Sequence, residues 1–232
     1  MKVYSGKGEA VVLLHGFLAN KNYWIKLIPQ LGDQTVIVLD LLGFGNAPKP
    51  KTSQYTYSSH IEHIQTQLKN LKIKSPFILA GHSMGAVIAA RFAIQNPNNI
   101  KQLILFNPPI YSSTSQALGV LNDTSILYRA ILNSKLRFVI WPILRKVAPI
   151  SKHTRQSREM TLQNVILKAE FIQDLHKLNI PTKLVVGIHD RPVYLANLTH
   201  VSLPKNIALH TVDAGHHAPR QKPRVTASFF TN

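Results

Sequence analysis

The sequence contains no cysteine, which excludes disulfides, thiolate metal ligands and a cysteine nucleophile. Acidic residues are scarce too. Ten Asp and Glu stand against 27 Lys and Arg, a formal net charge of +17 with histidine neutral. A charge of that size points to an anionic partner, either nucleic acid or a membrane surface. No apolar run reaches the roughly 18 residues of a membrane span. The opening residues Met1–Glu9 lack the basic-then-apolar order of a signal peptide. The expectation is a cytoplasmic protein, peripheral to a membrane at most. There is no phosphate-binding glycine loop and no dinucleotide fingerprint, so no cofactor is expected.

What is present is a large apolar fraction, 45% of 232 residues, enough to bury the core of one domain. Short β-branched runs at Ala10–Leu14, Thr35–Leu39, Phe77–Ala80, Ile100–Phe106, Thr182–Gly187 and Ala208–Val212 read as strands. Most are continuously apolar rather than alternating, as a sheet covered on both faces requires. Helical patterns fall at Asn20–Leu31, Ser58–Leu71 and Met84–Gln95, the last stopped by Asn96-Pro97. This alternation predicts an α/β fold with a mainly parallel, doubly wound sheet. The rhythm breaks between Pro108 and Pro181, where Ser125–Leu136 and Leu162–Leu178 read as helices inserted between two strands. From Thr124 to Ser157 there is no acid, while Arg129, Lys135, Arg137, Arg145, Lys146, Lys152 and Arg155 alternate with Tyr128, Phe138 and Trp141. Such a basic, aromatic stretch suits an anionic membrane surface. No nucleic-acid motif accompanies it, so specific nucleic-acid binding is not expected.

The strongest chemical signal is Phe77-Ile78-Leu79-Ala80-Gly81-His82-Ser83-Met84-Gly85-Ala86, a buried strand leading through Gly-x-Ser-x-Gly into a small-residue helix. A serine at such a turn is lifted clear of the sheet, and the next N–H opens a helix, where it can stabilise an oxyanion. Ser83 is therefore the expected nucleophile and the Met84 N–H an expected oxyanion donor. Serine needs a base, and the base needs an orienting acid. Asp190 follows the strand ending at Gly187, and His216 follows the strand ending at Val212, in the chain order Ser, Asp, His. Asp213 is the rival acid and His217 the rival base. After the first strong strand, Leu14-His15-Gly16-Phe17 offers the Phe17 N–H as second oxyanion donor, with His15 bracing the loop. His60-Ile61-Glu62-His63 has two histidines on one helical face but no further ligand at useful spacing, so no metal site is expected.

Together His15-Gly16-Phe17, Asp40–Gly45, Gly81–Gly85, Ile180-Pro181-Thr182 before Gly187–Asp190, and Gly215-His216 make the chain resemble the α/β-hydrolase family along nearly its whole length. The resemblance implies an eight-stranded-type core, here without the first family strand and with a truncated last helix. It also implies a helical lid after the sixth family strand. The chain would then be one domain, with core residues 1–107 and 179–232 around a lid over 108–178. Ser83, Asp190 and His216 would be the catalytic triad. Asn107 stands where some members carry the acid, which favours Asp190. A serine nucleophile sets the chain apart from the family's dehalogenases and epoxide hydrolases, which use Asp. The expected activity is hydrolysis of an ester with a small or medium apolar acyl or aromatic substrate, held by Phe17, Phe138 and Trp141. Carbon–carbon hydrolase, thioesterase and perhydrolase chemistries share the same triad, and a non-catalytic binding protein is the alternative of another class.

Overall fold

A computed structural model describes residues 1–73, 76–123 and 151–231. Seven strands form one sheet: β1 (Lys2–Tyr4), β2 (Ala10–Leu14), β3 (Thr35–Leu39), β4 (Phe77–His82), β5 (Ile100–Phe106), β6 (Thr182–Gly187) and β7 (Ile207–Val212). Their order is β1-β3-β2-β4-β5-β6-β7; β1 pairs antiparallel and every other pairing is parallel. The apolar runs feed two cores because successive side chains point to opposite faces. Val12, Leu14, Ile37 and Leu39 face one core, together with α1 (Tyr57–Asn70) and α2 (Met84–Gln95). Val11, Leu13, Val36 and Val38 face the other, against Tyr23, Trp24, Leu27 and the carboxyl-terminal Phe230.

Several expected elements differ in the structure. The apolar spacing over Asn20–Leu31 is helical, and Tyr23, Trp24, Leu27 and Leu31 are indeed buried. The segment nevertheless folds as two 3-10 turns, Lys21–Trp24 and Ile28–Gln30. Pro29 lacks an N–H and crowds the residue before it, which disfavours a continuous α-helix. Leu162–Leu178 is likewise interrupted. A π-turn at Leu162–Ile166 continues the helix Arg155–Thr161, Ala169 then takes φ 53°, and a new helix runs over Phe171–Lys177. The expected helix over Ser125–Leu136, and with it the basic aromatic stretch from 124 to 150, lies outside the described residues.

Between β5 and β6 the described chain forms α3 (Thr114–Asp123), α4 (Arg155–Thr161) and α5 (Phe171–Lys177). Arg91 of α2 ties α5 down. Its Nε bonds the buried Asp174 carboxylate at 2.9 Å, its second guanidinium nitrogen bonds Glu170 at 2.8 Å, and the guanidinium lies over the Tyr57 ring at 4.3 Å. After β6 come α6 (Pro192–Thr199), then β7 and two short helices, α7 (Ala218–Gln221) and α8 (Pro223–Ala227). None of the described helices is long and apolar enough to cross a membrane.

Candidate active site

Six neighbouring strands, β3, β2, β4, β5, β6 and β7, run parallel, so their carboxyl ends lie side by side. A crevice beyond those ends is where open α/β sheets place ligands. Ser83 follows β4 with φ 53° and ψ −122°, a conformation that a non-glycine residue holds only when its surroundings enforce it. The enforcement is backbone packing on both sides. A Cβ on Gly81 would strike the Gly85 carbonyl, and one on Gly85 would strike the Leu14 and His15 carbonyls. Glycine at both positions lets α2 start directly against β4 and against the loop after β2.

That turn delivers Ser83 Oγ to within 3.0 Å of His216 Nε2. The other ring nitrogen, Nδ1, lies 3.0 and 3.1 Å from the two Asp190 carboxylate oxygens. Because a carboxylate only accepts, Nδ1 carries the hydrogen and Nε2 presents its lone pair to the serine hydroxyl. Burial pushes the Asp190 carboxyl up, but bonds from His216, Asn107 Nδ2 (2.8 Å) and the Arg191 N–H (2.7 Å) outweigh it and hold the group below the usual carboxylate range. Asp190 is thus held as an anion despite its burial.

The two rivals are engaged elsewhere. Asp213 is exposed and bonds His189 Nε2 at 3.0 Å and Lys222 at 3.5 Å. The His217 Nδ1 lies 3.5 Å from the Tyr23 hydroxyl. His15 braces the loop after β2: its Nδ1–H donates to the Gly16 carbonyl at 2.7 Å, and its Nε2 accepts the Leu41 N–H at 3.0 Å. Burial depresses its pKa to about 4, so the ring is neutral. Gly16 lets this loop pass so close to Ser83 that an added Cβ would sit 3.2 Å from the serine Cβ. Phe17 on the loop and Met84 at the start of α2 therefore flank Ser83. His60 lies buried beside Thr161 Oγ1, and His63 Nε2 bonds the Asp40 carbonyl at 3.1 Å.

A cavity of about 300 Å³ opens over Ser83 and His216. Among the described residues its wall is mostly apolar, from Phe17, Leu18, Pro109, Leu162 and Ile166, with Tyr111 and Tyr194 hydroxyls paired at 2.8 Å and Arg191 as the charged member. Phe17 meets the cavity as expected; Phe138 and Trp141 lie outside the described residues. Nothing in chain order places Tyr111, Tyr194 and Leu162 near Ser83, so no local signal in the sequence marks them as cavity residues. In the sequence Asn107 marks only a position without an acid; in the structure its amide bonds Asp190 directly.

The alpha/beta hydrolase fold family model matches residues 9–139, and the chain belongs to that family. It is 38% identical over 111 residues to the probable lysophospholipase BODYGUARD 1 of Arabidopsis thaliana, an alignment spanning 45% of this chain and 24% of the plant protein. Lipase 3 of a Moraxella strain is 26% identical over 229 residues, covering 90% of this chain and 72% of that protein. Among solved structures, an esterase from Exiguobacterium antarcticum superposes with a TM-score of 0.74 at 20% identity, covering 99% and 95% of the two chains. The chain thus spans about a quarter of the first plant relative, and the structural likeness is one of fold.

Proposed function

We propose that the protein is a serine hydrolase that cleaves an ester of a small or medium apolar acyl group through an acyl-enzyme on Ser83. The observation that carries this reading is the unbroken chain from Ser83 Oγ through His216 to Asp190, with 3.0 Å at each step, whose Ser83 and His216 end opens into a mostly apolar cavity. Ser83 Oγ attacks the ester carbonyl as His216 Nε2 takes its proton, and the carbonyl oxygen becomes an anion facing the Phe17 and Met84 N–H groups. His216 returns the proton to the departing alkoxide, leaving the acyl group on Ser83. A water then gives its proton to His216, attacks the acyl carbon, and the serine leaves with that proton. Asp190 holds the imidazole in the tautomer this requires and balances its positive charge when protonated. The lipase and lysophospholipase relatives support an acyl-ester substrate.

The test is labelling with a fluorophosphonate probe together with a p-nitrophenyl ester chain-length series. Wild type is expected to label on Ser83 and to turn over esters, and Ser83→Ala to lose labelling and about 10⁴-fold or more of the turnover. A folded wild-type protein that neither labels nor hydrolyses any ester of the series overturns the reading.

A further inference from the structure

Two side chains that the reaction does not consume converge on the loop carrying His216. Asn107 closes β5 with φ 47°, fully buried, its own N–H tied to the Val185 carbonyl on β6 at 2.8 Å. Its Nδ2 donates to Asp190 Oδ2 at 2.8 Å and reaches the Gly215 carbonyl at 3.4 Å. From the opposite side, buried His82 at the end of β4 places Nε2 2.7 Å from the His216 carbonyl. Its ring lies stacked on Tyr23, with centroids 4.4 Å apart and planes at 17°. The carbonyls of Gly215 and His216 and the Asp190 carboxylate can only accept, and Asn107 and His82 bring donors to them from the ends of β5 and β4.

We propose that Asn107 and His82 are positioning residues that clamp the base: Asn107 couples the Asp190 carboxylate to the loop before His216, and His82 fixes the His216 main chain over Ser83. This rests on the reading of Ser83, His216 and Asp190 as the reacting group. The chemistry of each clamp is specific. Position 107 must donate, because a second carboxylate at 2.8 Å from Asp190 would repel it. It must also accept a left-handed backbone, which Asn tolerates better than most residues. His82 must keep its hydrogen on Nε2. Burial drives its pKa well below normal and keeps the ring neutral.

Asn107→Asp preserves size and backbone preference but makes the donor titratable. At low pH the introduced carboxyl is protonated, and its O–H replaces the amide. As pH rises the carboxyl ionises, the donor is lost, and two carboxylates face each other. The ratio of variant to wild-type kcat/KM for a p-nitrophenyl ester is expected near one at acid pH and to fall about tenfold or more as pH rises. Asn107→Gly, which accepts the backbone angle and has no donor, is expected to lose a similar factor at every pH, and covers the case in which the aspartate variant fails to fold. His82→Gln, which keeps an N–H donor, is expected to retain more activity than His82→Phe. The low-field proton resonance of the His216 Nδ1–H bond reads the clamp without turnover, and in Asn107→Asp it should shift or broaden over the same pH range. A flat ratio near one with an unchanged resonance overturns the Asn107 clamp, and full kcat/KM in His82→Phe overturns that of His82. A wild-type protein that neither labels nor turns over any ester would sink the proposed function, while the resonance would still decide the clamp.

Discussion

Asp190, His216 and His15 show how the same side-chain types are given different work by their surroundings. Asp190 is buried, a condition that by itself favours the neutral acid, yet donors from three sides hold it ionised. Asp190→Asn would replace an acceptor by a group that can donate to Nδ1 and so favour the wrong imidazole tautomer. Under the proposed mechanism kcat is expected to fall about 10³-fold or more, and stability by about 1–3 kcal/mol because one of the Asn107 and Arg191 donors loses its acceptor; steady-state kinetics beside a melting curve check both. His15 is expected to appear in stability rather than in rate. Its pKa is about 4 in the folded protein and near 6.5 when exposed, so the unfolded chain binds the extra proton between those values. Stability is therefore expected to fall as pH drops from about 6.5 towards about 4, by roughly 1.4 kcal/mol per pH unit for such a site. Buried His60, depressed to about 3, acts in the same direction. Urea midpoints across that range, compared with a His15→Gln variant whose slope should be shallower, measure the contribution.

At the scale of elements, the turn between β4 and α2 depends on backbone proximity. Gly85→Ala adds a methyl facing the main-chain carbonyls of Leu14, at the end of β2, and of His15, just after it, and neither belongs to a flexible side chain. The variant is expected to lose about 1–3 kcal/mol and to label more slowly with the serine probe, because relief of the clash moves the Phe17 loop away from Ser83. The α2–α5 contact relies on Arg91. Arg91→Ala would strand the fully buried Asp174 carboxylate, an expected cost of about 3 kcal/mol that Arg91→Ala/Asp174→Asn should partly restore in a denaturation cycle. The strands were legible because continuous apolar β-branched runs have few other uses, and Ala10–Leu14, Thr35–Leu39, Ile100–Phe106 and Thr182–Gly187 fold with the bounds read from sequence. The segment over Asn20–Leu31 was not: its periodicity reports which side chains are buried, and a pair of 3-10 turns can bury Tyr23, Trp24 and Leu27 as well as a helix can.

Over the whole molecule, +17 makes the folded chain repel itself. Added monovalent salt screens that repulsion at Debye lengths of about 10 Å at 0.1 M. The thermal midpoint is accordingly expected to rise between low and moderate ionic strength, as scanning calorimetry would show; a midpoint that falls with salt would mean that attractive pairs such as Lys21–Asp40 and Arg91–Asp174 outweigh the net charge. Six of the seven strands, all but β1 (Lys2–Tyr4), the serine turn and the chain order of Ser83, Asp190 and His216 are legible in the sequence alone, because each is written in local residue types and their succession. Scarcity of acids helped, since few carboxylates competed for the place beside the base. Three-dimensional packing is what joins Asn107 to Asp190 and His82 to the His216 carbonyl, and what brings Tyr111, Tyr194 and Leu162 to the cavity wall. Those contacts depend on β5 lying between β4 and β6, and on helices folding back over the strand ends. Spatial order across a sheet is set by long-range packing, which no local stretch of sequence records.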